Sequence, residues 1–324
     1  MTYLRPRGNR MQNDILFFEP HLDERLWGGD HLRRRYSPGS GTAPIGEAWL
    51  ISGMPDASSR ISRGRFANMT LSDFFASNPD YFNFPDSMEF PLLVKWIDAH
   101  DKLSVQVHPD DDYAQNQEHS RGKTECWYIT EAQPEAFLIL GHEAKTKEEL
   151  TRRIQSGDYS HLFRQVPIKK DDFVYIPAGL LHAIGDGVRL VEIQQASDVT
   201  YRVYDYDRRD DRGNKRPLHL DRALAVITVP SPEIVIRNVA NTVGIVTLVD
   251  SPFFSVEKWS VANSLDQEND YQETSLFVVL DGQGSIQQTP YKTGDAFIVP
   301  GSISHISLQG NASLLRAFLP RRKG

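Results

Sequence analysis

Two stretches of this chain repeat one another. Asp172-Phe-Val-Tyr-Ile-Pro177 leads to His182, and Asp295-Ala-Phe-Ile-Val-Pro300 leads to His305. In each, the aspartate precedes the histidine by ten residues and the proline precedes it by five. Proline cannot donate to a sheet ladder, so each run reads as a strand stopped by a turn, with a second strand beyond it. A strand-turn-strand unit met twice constrains the chain to a mainly β fold of two related barrels with a few short helices.

The copies differ in their company. Upstream of His182 lies Leu103-Ser-Val-Gln-Val-His-Pro-Asp110, where Gln106 and His108 point to one face of a strand and Val105 and Val107 to the other. Gly122-Lys-Thr-Glu125 follows, and Glu125 enters an apolar run, Cys126-Trp-Tyr-Ile129, where a buried carboxylate needs a partner. Each histidine alone reads equally as a core residue. Together, Gln106, His108, Glu125 and His182 offer two imidazoles, a carboxylate and an amide oxygen, a set suited to one Zn²⁺ with room for water or substrate. Upstream of His305 the strand Leu276–Leu280 ends in Asp281-Gly-Gln-Gly284, which reads as a turn, and no such pair is present. His305 is expected to be structural and the second barrel metal-free.

At 324 residues, one large or two moderate domains are expected, and the repeat suggests two. Their boundary is placed near Val229-Pro-Ser-Pro232, giving a catalytic domain over 13–230 and a smaller C-terminal one over 231–324, with 1–12 an extension without structure. Helices are predicted within Leu71–Phe82, with Ser72 as a possible cap and an end near Asn78-Pro79, from Thr146 to about Ser156 through a Thr-Lys-Glu-Glu capping box, over 160–166, and over 220–227. The insertion near 145–166 separates the Glu125 strand from the His182 strand. A net charge of −7 argues against nucleic acid and acidic membranes as partners, while local basic residues remain able to receive a small anion. The one cysteine, Cys126, fits a reducing, cytoplasmic setting, and no run is long and apolar enough to span a membrane.

These residues resemble the type I mannose-6-phosphate isomerases, members of the cupin superfamily, over nearly the whole chain. Glu24-Arg-Leu-Trp-Gly-Gly29 and Ile45-Gly-Glu-Ala-Trp49 look like the N-terminal signatures, and Phe90–Lys95 followed by Leu103–Asp110 resembles the most specific motif. Lys123-Thr-Glu125 is similar to the Lys-x-Glu element, and Glu192–Arg202 to the segment holding the active-site arginine. Val203-Tyr-Asp-Tyr-Asp-Arg208 looks like the short bacterial branch. The resemblance implies two cupin-like (jelly-roll) barrels, zinc on Gln106, His108, Glu125 and His182, and Arg202 as a catalytic residue. A histidine proposed for proton transfer in some longer relatives corresponds to Gly122, so it is not the base here.

The implied reaction interconverts mannose 6-phosphate and fructose 6-phosphate through an enediol(ate), part of carbohydrate metabolism. Arg202 is a permanent cation suited to enediolate charge. Glu192 is a candidate acid or base, and Lys95 and Lys123 are candidates for proton transfer or phosphate binding. Ser104 joins Arg202 and Lys123 as a candidate substrate contact. Two other classes fit the barrel: a non-catalytic sugar-phosphate binder and an Fe²⁺ oxygenase, the latter disfavoured by Gln106 where such sites carry imidazole. Pathway, substrate breadth and oligomeric state are not legible in the chain.

Overall fold

A computed structural model describes residues 14–39, 41–84, 89–210 and 212–320. The extension expected over 1–12 lies outside the described residues. The fold is mainly β, in two compact units, and neither unit is contiguous in sequence. One unit is Pro20–Ser58 with Pro91–Asn241; the other takes in the chain through Glu19, Ser59–Phe90 and the chain from Thr242. The single boundary expected near Val229–Pro232 is therefore replaced by crossings after Glu19, Ser58, Phe90 and Asn241. Strand pairing is the reason. Leu16–Glu19 is a strand of the C-terminal sheet, with Leu16 opposite Ile298 and Phe17 opposite Phe297.

The unit built around Pro91–Asn241 holds two antiparallel sheets. The seven-stranded sheet runs Ile236–Asn238, Asp172–Ile176, Glu125–Ala132, Val188–Gln195, Leu92–Ala99, His21–Gly29, Ile45–Ser52. The five-stranded sheet runs Tyr201–Tyr204, Val105–Val107, His182–Ile184, Phe137–His142, Phe163–Pro167. Neither closes into the barrel that was expected: each ladder ends on an open strand. Side-chain alternation divides two cores. Trp127, Ile129, Leu138, Leu140, Ile176 and Ile184 pack in one, while Val105, Val107, Ile139 and Ala183 face helices Lys147–Ser156 and Leu220–Val226 in the other.

Side-chain caps start three of the helices. Thr146 accepts from the Glu149 N–H at 3.2 Å, and Glu149 reaches back to the Lys145 N–H at 2.8 Å, one residue earlier than the expected box. Thr70, not Ser72, caps Leu71–Ser77, which stops at Asn78 before a short 3-10 turn, Pro79–Tyr81. The helix expected over 160–166 is instead the strand Phe163–Pro167, because it docks on the edge of Phe137–His142 with Leu138 opposite Val166. Helix Asp111–Glu118, not foreseen, is capped by Asp110 accepting from the Tyr113 N–H at 2.8 Å.

In the other unit, Ser255–Glu268 and His305–Phe318 pair along their full lengths within an eight-stranded sheet, over a core of Phe17, Trp259, Phe277 and Phe297. The turn expected at Asp281–Gly284 is inside the strand Ser275–Ile286, where a register shift between Val279 and Asp281 and a positive φ at Gly282 absorb the irregularity. The repeat has a physical basis. Asp172 and Asp295 each close a turn, accepting from the N–H three residues back (Lys169, 2.9 Å; Lys292, 3.0 Å). Pro177 and Pro300 each open the next turn by accepting from residue i+3. His305, half-exposed at the head of its strand, faces Glu268 at 3.0 Å and Asp266 at 3.2 Å.

Candidate metal centre and its cavity

Gln106 is the hinge of the site. Its strand has His182 opposite it on one side and Arg202 opposite it on the other, so three residues far apart in sequence meet on one row. Glu125 heads a strand of the seven-stranded sheet, and His108 follows Val105–Val107 directly. His108 Nε2 lies 3.6 Å from Glu125 Oε2, and His182 Nε2 lies 3.5 Å from Glu125 Oε1. All three side chains are at most 1% exposed.

Both imidazoles are set to present a lone pair. His108 Nδ1 donates to the Val199 carbonyl and His182 Nδ1 to the Leu180 carbonyl, each at 2.8 Å, leaving each Nε2 as an acceptor on the carboxylate side, where His108 Nε2 takes the Lys123 ammonium at 3.2 Å. Burial, then the charge of Lys123, holds His108 well below its ordinary pKa; burial pushes His182 down to about 4. Apart from the Lys123 ammonium, 2.9 Å from Oε2, neither oxygen of Glu125 has a polar hydrogen-bond partner. A wholly buried carboxylate facing two lone pairs fits a cation. Donors about 2.1 Å from a common centre in a tetrahedron stand about 3.4 Å apart, close to the separations here. Gln106 Nε2 is 3.5 Å from His182 Nε2, and its oxygen takes a hydrogen bond from Ser104 Oγ at 3.3 Å; a half-turn of the amide would offer the oxygen as fourth donor. Among the described residues, His108, Glu125 and His182 form the one group of His, Cys, Asp and Glu able to hold a metal.

Gln106, His182 and Lys123 line a cavity of about 330 Å³, and His108 and Glu125 adjoin it through His182 and Lys123. Across the inner face of the seven-stranded sheet, charges alternate: Arg25 to Glu47 at 3.1 Å, Glu47 to Lys95 at 3.2 Å, Lys95 to Glu192 at 3.9 Å, Glu192 to Lys123 at 3.9 Å, then Lys123 to Glu125. Burial would raise Glu47, but Lys95, Arg25 and hydrogen bonds from Arg25 and Trp49 outweigh it and hold its carboxyl well below the usual range. Glu192 accepts from Trp127 Nε1 at 2.9 Å; burial, aided by Glu125, raises its pKa. Burial opposes the charged form of Lys123, yet Glu125 and Glu192 keep its pKa raised. Arg202 donates from Nε to Ser104 Oγ at 3.3 Å and from Nη1 to the Pro217 carbonyl at 3.0 Å, and no carboxylate of the described residues lies within ion-pair distance of it.

The structure thus brings Ser104, Gln106, His182, Glu192, Lys95, Lys123 and Arg202 to one cavity, and His108 and Glu125 adjoin it through His182 and Lys123. Sequence reasoning did not single out Arg25, Glu47, Asp198 or Arg216, which also line it. Glu47 had a usable signal, a carboxylate between Ile45 and Trp49 in a largely apolar strand. Arg216 had none, since it lies among charged loop residues.

Comparison with known proteins agrees with this geometry. The phosphomannose isomerase type I catalytic domain matches residues 15–146, and the mannose-6-phosphate isomerase cupin domain matches 244–319. A probable mannose-6-phosphate isomerase of Bacillus subtilis is 44% identical over 93% of this chain and 98% of its own. The mannose-6-phosphate isomerase of Streptococcus mutans is 40% identical over 93% and 96%. A crystal structure of the Bacillus subtilis mannose 6-phosphate isomerase superposes with a TM-score of 0.85 at 35% identity, covering 94% of this chain and 99% of that one.

Proposed function

The chain belongs to the type I phosphomannose isomerases, and from that premise we propose that it interconverts mannose 6-phosphate and fructose 6-phosphate through an enediol(ate). The observation that carries this reading is the His108–Glu125–His182 donor set, which opens through His182 onto a cavity also lined by Arg202, a cation with no carboxylate partner among the described residues. The donors suit Zn²⁺, one per chain, which His108, Glu125 and His182 would hold with Gln106 and which would supply Lewis acidity without redox change and a net positive charge.

The remaining chemistry belongs to the side chains. The reaction moves a proton between C2 and C1. Glu192, a buried carboxylate held by Trp127 and raised in pKa, is suited to take that proton and return it. Lys123 and Lys95 flank Glu192 and keep its charged form accessible. Arg202, fixed through Ser104 and the Pro217 carbonyl, turns its other N–H groups to developing oxyanion charge. Cys126, free and buried, accords with a cytoplasmic location, and no helix of the described residues is long and apolar enough to cross a membrane.

A coupled isomerase assay with and without chelator, alongside metal analysis, tests the reading. We expect turnover of mannose 6-phosphate that is lost on chelation and regained with zinc. Full activity in metal-free protein would remove the metal from the proposal; no turnover by the zinc-loaded protein would remove the isomerase.

A further inference from the structure

We infer that Arg216 receives the phosphate end of the substrate and so selects phosphorylated over unphosphorylated sugars, an assignment that rests on the isomerase reading above. Arg216 lines the same cavity as Gln106, His182 and Arg202. Asp205 meets its guanidinium side-on, accepting from Nε at 2.8 Å and from Nη2 at 2.6 Å. A guanidinium carries five N–H donors. Asp205 occupies two, so both hydrogens of Nη1 and the second of Nη2 are left for a ligand, a fork suited to two phosphate oxygens.

The other cations are worse placed for a dianion. Lys95 is enclosed by Glu47, Glu192 and Asp198 at 3.2, 3.9 and 3.8 Å, and Lys123 by Glu125 and Glu192. A phosphate reaching either ammonium would face carboxylates on the way. Asp205 instead pairs with Arg216 alone while Arg202 has no ion-pair partner among the described residues, and after burial the charge of Arg216 is what most depresses the pKa of Arg202. Two guanidiniums with one counter-ion leave a positive excess.

Position agrees with charge. Arg202 reaches the metal donors through Ser104 and Gln106, whereas the Arg216 side chain is 27% exposed, against 1% or less for His108, Glu125 and His182. The reacting carbons belong at the enclosed end and the phosphate at the open one. The loop between Asp205 and Arg216 is also closed by pairing of Arg209 with Lys215, and the carbonyl of the next residue, Pro217, holds Arg202. One loop therefore sets both arginines.

The test uses the zinc-loaded protein with Arg216→Gln, Arg216→Lys and the double variant Asp205→Asn/Arg216→Gln, which leaves no buried carboxylate without its partner. Kinetics with mannose 6-phosphate should show KM raised about tenfold or more with kcat within about threefold, in the single and double Gln variants alike, and partial recovery with lysine. Competitive inhibition by inorganic phosphate should weaken by the same factor. Unchanged KM and unchanged phosphate inhibition in a folded double variant would overturn the assignment, as would a fall in kcat at constant KM. Should the wild type fail to turn over mannose 6-phosphate, the isomerase reading fails first. Calorimetric titration with inorganic phosphate then still reads Arg216: binding abolished in the double variant supports the anion seat, and equal binding rejects it.

Discussion

At Glu125, burial and charge oppose each other. The carboxylate is wholly enclosed and Lys123 is the one donor at hydrogen-bond distance of it among the described residues, so its cost is offset by that ammonium and by whatever cation the two imidazoles help to hold. Removing one imidazole should therefore remove the metal: His182→Ala is expected to lose zinc and activity together, and full zinc occupancy by metal analysis would refute the assignment. Gln106→Ala should be milder, because it deletes a neutral donor. Arg202 stands apart from the donors, so Arg202→Ala should keep zinc and fold while kcat and kcat/KM fall together by roughly 10²-fold, the size seen for electrostatic stabilisers. A rise in KM alone would make it a uniform binder. Glu47 carries the acid sensitivity. Its folded pKa is depressed below the ordinary 4.5, so its stabilisation is complete above that value and is lost as the pH falls below it toward the depressed value. Denaturant titrations from pH 6 to about 3 should show a steeper loss in wild type than in Glu47→Gln; parallel curves would deny Glu47 this role.

At the scale of elements, turns and caps decide where the functional side chains arrive. Gly122 sits against the backbone at Asp110–Asp111, where an added Cβ would fall 2.4 Å from two main-chain atoms. Its N–H also donates to Asp111 Oδ1 at 2.8 Å, tying the approach to Lys123 and Glu125 to the start of helix Asp111–Glu118. Gly122→Ala should lower the melting temperature and weaken zinc binding, since the neighbour that must give is backbone; an unchanged melting curve and zinc affinity would show that the loop adapts. The same contact explains in physical terms why no histidine can serve from this position. Helix Lys147–Ser156 is simpler. Thr146→Ala removes its cap and should cost about 1 kcal/mol in equilibrium unfolding, with kinetics unaffected.

At the scale of the molecule, the discontinuous units make a prediction about fragments. Residues 231–324 match the domain drawn from sequence, yet they lack Leu16–Glu19, whose Phe17 packs on Phe297 with ring centroids 4.8 Å apart, and Arg60–Ile61 beyond it. Expressed alone, that fragment should expose the edge of Ala296–Val299 and melt without a cooperative transition. Adding 59–90 without Leu16–Glu19 should not cure it, because Arg60–Ile61 reaches the sheet only through that strand. A sharp, reversible melt of 231–324 would show that the edge is not needed.

What the sequence determined by itself is local. Alternation put Gln106 on one face and Val105 and Val107 on the other, a capping box started the helix after Thr146, and the Asp172 and Asp295 turns repeat because each aspartate bonds the backbone three residues back. Each needs only neighbours in the chain. The donor set was legible for a related reason: a charged or amide side chain within an apolar strand is costly enough to stand out. Tertiary structure decided what depends on partners across the ladder. Gln106 lies between His182 and Arg202, Glu47 meets Lys95, Phe163–Pro167 is a strand because an edge was waiting for it, and Leu16–Glu19 joined a sheet whose other strands begin more than two hundred residues later or lie in the Arg60–Ile61 pair. Strand registry is set by nonlocal hydrogen bonds and side-chain packing, which leave no periodic trace in the segment that is recruited.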